Sequence, residues 1–366
     1  MGNDVVLWIV VGTALAFDFT NGFHDTANAV ATSISTRAMA PRVAVTLAAG
    51  LNFVGAFLSL AVAATIASGI VDPDLITLPI VFSGLVGAIA WNLLTWYFGL
   101  PSSSSHALIG GVVGAAFAAE GPKAVFGDGL IEKVMIPALV APVLAFIAAA
   151  VAIVVAYRIV GRQHPGTVSR GFRLGQIISG SLFSLAHGTN DAQKTMGIIF
   201  LALIANGNLS TSDSVPTWVV ISAASAIALG TYVGGWRIIR TMGSRIIKMD
   251  PAQGFAAQGV GAAVILSASH VGFPLSTTHV ISGAIMGAGA AKRISAVRWG
   301  VAGNIVVAWV LTLPAAAVVG AVTYGVTRLF GDGAAGPVVV AAALVSALAW
   351  IFGRRALSGR PLTAEG

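Results

Sequence analysis

Two polar motifs each occur twice in an otherwise apolar chain, and their residue types suit two kinds of ion. Residues 22–28 read GFHDTAN and residues 188–194 read GTNDAQK, each placing an Asp three residues after a Gly. Residues 101–114 read PSSSSHALIGGVVG and residues 274–287 read PLSTTHVISGAIMG, both fitting P-x-S-[ST]-[ST]-H-x3-G-x3-G. The order is the same in each half, with 81 positions from Asp25 to His106 and 88 from Asp191 to His279. Carboxylate and amide oxygens are ligands for a hard cation. Hydroxyls clustered at a helix start are partners for an oxyanion. Such a duplicated pair is the signature of a transporter built from repeats.

On a helix, positions i, i+3, i+7 and i+10 share one face. In the first half these are Asp18, Asn21, Asp25 and Asn28; at the aligned places in the second stand Ser184, His187, Asp191 and Lys194. A charge at mid-bilayer costs at least about 2.5–3.5 kcal/mol, so each carboxylate needs a partner or a cavity. The expectation is that Asp25 and Asp191 bind a coupling cation or proton. The glycines before them are expected to let the helix unwind and offer carbonyls. A purely structural pair, such as Asp191 with Lys194, is the plainer alternative, and repetition in both halves argues against it. Asp18 has no acidic counterpart, so for it both readings stay open. His24, beside Asp25, is suited to carry a proton.

Pro101 and Pro274 cannot continue a helix, and good N-cap residues follow them. Ser103, Ser104 and Ser105, and likewise Ser276, Thr277 and Thr278, therefore mark helix starts whose free N–H groups and dipole suit a tetrahedral oxyanion. Gly110 and Gly114, like Gly283 and Gly287, leave one helix face bare for close packing. Ordinary capping explains one such run; a matched pair points to an anion held from two sides. His106 and His279 are expected to fix the two tips through hydrogen bonds. Five of the six histidines (His24, His106, His187, His270 and His279) lie in or beside the motifs, but no spacing resembles a zinc pattern, and no resident metal or cofactor is expected. No G-x-S-x-G elbow is present, so an enzyme is not expected.

The elements that must position these residues are membrane helices. Of 366 residues 57% are hydrophobic and 9% charged, against about 25% charged in soluble domains. That balance cannot coat a soluble globule, and lipid must cover the outside. The net charge of +7 resides in short basic clusters between apolar runs, which reads as cytoplasmic loops rather than nucleic-acid binding. Apolar segments at 4–36, 43–70, 75–98, 107–119 and 134–158 precede those at 173–205, 216–236, 252–269, 281–291, 299–327 and 336–353. The shortest two read as limbs of re-entrant hairpins. The segments at 4–36 and 173–205 read as helices broken at their motifs. The basic loops at 37–42, 158–173, 237–248, 292–298 and 354–355 fall on one side, which makes the two halves inverted copies. The expected architecture is an all-α integral membrane protein of about 10–12 membrane segments. Residues 1–158 form the first repeat, 159–172 a basic cytoplasmic linker, 173–353 the second repeat and 354–366 a short tail.

GFHDTANAVAT, HGTNDAQKTMG, PSSSSH and PLSTTH together resemble the signature segments and hairpin tips of the inorganic phosphate transporter (PiT) family, bacterial low-affinity type, over about residues 4–350. The resemblance implies a multi-pass secondary transporter of the cell (inner) membrane, often dimeric, that imports phosphate by cation symport. Carried over by position, phosphate lies between Ser103–Ser105 and Ser276–Thr278, with Asp25, Asn28, Asn190 and Asp191 at ion-binding positions. Sodium-coupled members carry G-x-N-D-x-x-N in both copies. Here His24 replaces an Asn of the first copy and Lys194 an Asn of the second. Each change removes an amide oxygen and adds a proton-binding or positive group, so proton coupling is expected over sodium, with Lys194 standing in for a cation or touching phosphate. The resemblance also implies that phosphate can travel as a divalent-metal complex. Sulfate is the nearest alternative substrate, and an ion channel is the alternative of a different class.

Overall fold

The computed structural model describes the backbone of residues 2–331 and 333–357, with side chains for 4–331 and 333–346. It is all-helical, as expected. Helix α1 spans Gly2–Ser35, α2 Pro41–Gly55, α3 Ala61–Ser68, α4 Leu78–Phe98, α5 Ser104–Glu120, α6 Gly127–Leu130 and α7 Ile136–Val160. Then follow α8 Pro165–Ala205, α9 Thr217–Val233, α10 Trp236–Arg240, α11 Pro251–His270, α12 Thr277–Lys292, α13 Trp299–Arg328 and α14 Ala335–Leu357. Between α7 and α8 only residues 161–164 are left as a turn, and most of the tail at 354–366 lies outside the described residues.

Among the described residues, four stretches are long and apolar enough to cross a membrane by themselves: Asp4–Ser35, Leu78–Phe98, Gly127–Val160 and Trp299–Arg328. Large apolar side chains such as Leu139, Val143 and Ile147 on α7 and Val307, Val310 and Val318 on α13 point outward. An apolar outer face of this kind requires lipid around it.

Broken helices occur, but not at the Gly–Asp motifs. Both α1 and α8 run unbroken through them. The motif glycines serve contact rather than unwinding: a Cβ on Gly22 would stand 2.3 Å from Ile227 O in α9, and one on Gly188 2.2 Å from Asn52 O in α2. The breaks fall one element later. Residues 56–60 separate α2 from α3, and α9 meets Trp236–Arg245 at a bend of 61°.

The glycine pairs after the Ser/Thr-His motifs pack as expected, each against the other half of the chain. A Cβ on Gly114 of α5 would stand 2.1 Å from Ala317 O in α13, and one on Gly287 of α12 2.0 Å from Phe146 O in α7. The buried apolar residues form two cores. One gathers around α5, including Leu108 and Val112, and the other around α12, including Ile281 and Ile285. Helix α1 passes from the first core (Val6–Phe17) into the second (Ala27–Ala31), whereas α8 passes from the second (Phe183, Ala186) into the first (Ala192–Leu203). The polar motifs lie between the two cores.

Candidate functional site

Ser103 and Ser276 are N-caps, accepting from the N–H of His106 at 3.1 Å and of His279 at 3.3 Å. The helices therefore begin inside the two motifs, as their prolines and hydroxyls dictate. Ser104 and Ser105, and Thr277 and Thr278, open their helices, so their N–H groups have no intrahelical acceptor. All six motif hydroxyl residues are buried. The two tips meet: Ser105 Oγ donates to Leu275 O at 3.3 Å, and the His106 and His279 rings stand edge to face at 4.7 Å. Trp309 completes the stack at 4.1 Å from His279, and its Nε1 donates to Pro101 O at 3.1 Å. The histidines thus hold the tips mainly by ring contact. His279 Nδ1 lies 3.4 Å from Ala138 O, and its Nε2 has no partner.

The motif of α8 fills the space beside the tips. Lys194 Nζ donates to Ser105 Oγ at 2.5 Å, to Leu275 O at 2.8 Å and to Asp191 Oδ1. Asn190 Nδ2 donates to the same Leu275 O and to Asp191 Oδ1, both at 2.8 Å. Thr277 Oγ1 donates to Asp191 Oδ2 at 3.1 Å. From α1, Asn28 Nδ2 reaches Thr277 Oγ1 at 3.2 Å and Thr278 Oγ1 at 2.9 Å. One turn earlier, His24 Nδ1 lies 2.6 Å from Asp25 Oδ1, while its Nε2 faces Thr95 Oγ1 at 3.1 Å and Ser102 Oγ at 3.5 Å. The hydroxyl residues of both tips therefore lie buried beside Asn28, Asn190, Asp191 and Lys194, with His24 and Asp25 one turn away, whereas Asp18 makes no hydrogen bond to this cluster. Ser104 Oγ is the motif hydroxyl there without a protein partner.

Spacing showed no metal pattern, yet the fold assembles a cation-sized group. Ligand atoms of Asp25, His187 and Asp191 all lie within 4.8 Å of one another. His187 Nε2 stands 3.0 Å from Asp191 Oδ2, and its Nδ1 lies 3.1 Å from Asn52 Oδ1. Asn52 in turn donates to Thr231 Oγ1 at 2.7 Å. Asn52, Thr231 and Thr95 support the site without belonging to any repeated motif, so one sequence carries little sign of them, and Ser102 fills the variable position of its motif. Gln193 was legible as part of GTNDAQK but not for its role: its Oε1 accepts from Val62 N at 2.9 Å and Ala63 N at 3.3 Å, capping α3 at the helix break. A cleft of about 550 Å³ lined by Ser59, Thr189, Ser267 and His270 opens beside that break.

The model of the phosphate transporter family matches residues 21–167 and 161–320. The chain belongs to that family. It is 57% identical to a protein of Mycobacterium tuberculosis named "Probable low-affinity inorganic phosphate transporter", over 96% of this chain and 85% of that one. A protein of the same name from Bacillus subtilis is 46% identical over 88% of this chain and 97% of its own. Among solved structures, "The sodium-dependent phosphate transporter" superposes with a TM-score of 0.80 at 25% identity, covering 89% of this chain and 99% of the other. This phosphate transporter family member is thus a multi-pass membrane protein rather than an enzyme.

Proposed function

We propose that this phosphate transporter imports inorganic phosphate by symport with a cation, and that the cation is a proton. The observation that carries the anion site is the meeting of two helix N-termini, α5 and α12, across the Lys194 ammonium. Phosphate is bound there by N–H groups of Ser104, Ser105, Thr277 and Thr278, by the free Ser104 hydroxyl and by Lys194, the donors that a helix start and a cation together provide. Ser103 and Ser276 shape the two starts as caps. Asn28 and Thr277 exchange their mutual hydrogen bond for bonds to phosphate as it enters.

Proton coupling is supported by two features. Lys194 Nζ sits among oxygens of Asp191, Ser105 and Leu275, the surroundings of a monovalent cation, and so acts as a tethered one that never dissociates. The His24–Asp25 pair, at 2.6 Å, combines an imidazole with a carboxylate and is suited to take up and release a proton. Asn190 and Asp191 complete the cation side. The opposite order in which α1 and α8 cross the two cores supports inverted repeats, with α4–α5 and α11–α12 as re-entrant hairpins entering from opposite faces.

The Asp25–His187–Asp191 cluster favours a second reading of the cargo: a divalent metal travelling with the phosphate. Two carboxylates and an imidazole are suitable ligands for it.

Purified protein in liposomes, given labelled phosphate under an imposed pH or sodium gradient, tests the proposal. Accumulation driven by the pH gradient alone is expected, and uptake that follows sodium and ignores pH overturns proton coupling. Full competition by sulfate would replace phosphate with a broader oxyanion. Non-saturating flux without accumulation would indicate a channel. Dependence on a divalent metal, co-accumulated one to one, selects the complex as cargo.

A further inference from the structure

Trp309 belongs to no repeated motif, yet it touches both tips. Its Nε1 donates to Pro101 O at 3.1 Å, where the first tip begins. Its ring lies 4.1 Å from that of His279 on the second tip, tilted by 32°. His279 in turn stands edge to face against His106 at 4.7 Å. A continuous stack therefore runs from α13 to the two histidines that directly follow Ser105 and Thr278. The direct polar contact between the tips, from Ser105 Oγ to Leu275 O, is long at 3.3 Å.

The other half of the chain shows what helix packing requires at this place. A Cβ on Gly110 or Gly114 of α5 would meet Leu313 O or Ala317 O of α13, at 2.4 and 2.1 Å. One on Gly283 or Gly287 of α12 would meet Pro142 O or Phe146 O of α7, at 2.3 and 2.0 Å. Leu313 thus corresponds to Pro142 and Ala317 to Phe146. One turn earlier, Trp309 corresponds to Ala138. The two seams are equally tight, with an indole beside one and a methyl group beside the other. Close packing of α13 on α5 therefore does not call for Trp309. At Ala138 the second tip is met by backbone instead, with His279 Nδ1 3.4 Å from Ala138 O.

The helix that carries Trp309 is fixed to the first tip's own hairpin. Trp91 Nε1 on α4 donates to Thr312 Oγ1 of α13 at 3.0 Å, and Gly87 of α4 and Gly110 of α5 both face the α13 backbone. Helices α4, α5 and α13 therefore form one packed unit, from which the indole projects onto the second tip. Helix α12 is carried by α7 and α11 instead. The His106–His279 contact limits how near the two helix starts can come. Trp309, bonded to one tip and stacked on the other, limits how far they can part.

We infer that Trp309 is a positioning residue that determines specificity: it fixes the span between the two helix starts, and so the size of the tetrahedral oxyanion they grip. This rests on the reading that phosphate binds between those starts. With the span held, donors of both starts reach oxygens of one anion at the same time. A wider span lengthens those hydrogen bonds, which weaken steeply once stretched. Phosphate then loses more than arsenate, an anion of the same shape and charge with longer bonds.

The test uses the whole protein in liposomes and reads the KM for labelled phosphate and the inhibition constant of unlabelled arsenate. Trp309→Ala removes both the ring and the bond to Pro101 O; Trp309→Phe keeps a ring beside His279 and loses the bond. In Trp309→Ala the phosphate KM is expected to rise several-fold. The preference for phosphate over arsenate is expected to fall at least about threefold, specificity being a difference of two affinities. Trp309→Phe is expected to keep part of that preference. A merely structural role would lower yield or maximal rate, or weaken both anions alike, so an unchanged preference in Trp309→Ala overturns the inference. If Trp309→Ala does not fold, Trp309→Phe decides: a reduced preference supports the inference and the wild-type preference overturns it. Ser104→Ala tests the underlying reading separately. A raised phosphate KM there keeps phosphate between the tips, so that failure of the Trp309 variants counts against Trp309 alone. An unchanged KM there removes the site on which the inference rests.

Discussion

Lys194 Nζ, on α8, donates to Ser105 Oγ, on α5, at 2.5 Å. A cation from one half of the chain thereby closes the N-terminus of a helix from the other half. The same ammonium is bonded to Asp191 on its own helix and to Leu275 O at the second tip. One side chain therefore ties both tips and one motif carboxylate into a single unit, and any movement of a tip must change its surroundings.

Removing that charge is expected to be costly. Lys194→Met leaves Asp191 buried with His187 as its remaining partner and without the ammonium, and breaking a buried pair from one side costs about 3–5 kcal/mol. Thermal unfolding in detergent should show a large drop. The double change Lys194→Met with Asp191→Asn should recover much of it, because no unpaired charge remains. A single variant as stable as wild type would mean that the pair is not buried as described.

Ser104 offers a cleaner reading of the anion site. Its Oγ is buried and has no protein partner, so Ser104→Ala removes nothing that the empty fold uses. A hydrogen bond to a charged ligand contributes about 1.5–3 kcal/mol, so the KM for phosphate should rise at least about tenfold with the melting temperature unchanged. Thr277→Ala makes the contrast. Thr277 Oγ1 is bonded to Asn28 and Asp191, so this change should lower stability as well as affinity. Equal KM values for wild type and Ser104→Ala would relocate the phosphate.

The motifs carried most of the site because they are local and repeated. Pro101 and Pro274, with hydroxyls after them, fixed two helix starts that the structure places at Ser104 and Thr277. Asp25 and Asp191 were legible as charges that an apolar helix does not tolerate without a partner. What was not legible depends on contacts distant in sequence. Gly22 and Gly188 looked like points of unwinding, and only their packing against Ile227 and Asn52 shows that they keep the helices whole and close. The true breaks, at 56–60 and after Val233, carry no polar signature. His187 joined the cation cluster through a neighbour four residues on and a carboxylate on another helix, a relation that no spacing rule for metals describes.

Asp25→Asn should separate folding from coupling. Asp25 is buried against His24 and the His187–Asp191 pair, and the amide is nearly the same size but carries no charge and takes up no proton. Gradient-driven phosphate accumulation should fall to the level of empty liposomes, while yield and elution volume in size-exclusion chromatography stay as in wild type. Accumulation at the wild-type level would contradict an ion-coupling role for this carboxylate.

The glycines after the tips should respond in opposite senses to a glycine elsewhere. A Cβ on Gly287 would stand 2.0 Å from Phe146 O, a backbone atom that cannot rotate away, and one on Gly114 would meet Ala317 O at 2.1 Å. Helices α12 and α5 must then move off α7 and α13, and overpacking of this kind costs about 1–3 kcal/mol. Gly12 in α1 has nothing within 4 Å of its Cβ position, so Gly12→Ala removes only backbone freedom from a helix interior and should stabilise by about 0.8–1.0 kcal/mol. Melting temperatures in one detergent should therefore fall for Gly287→Ala and Gly114→Ala and rise slightly for Gly12→Ala. Because the packing is matched between the halves, the two destabilised variants should lose similar amounts, and a loss in only one of them would show that the two tip helices are not held alike.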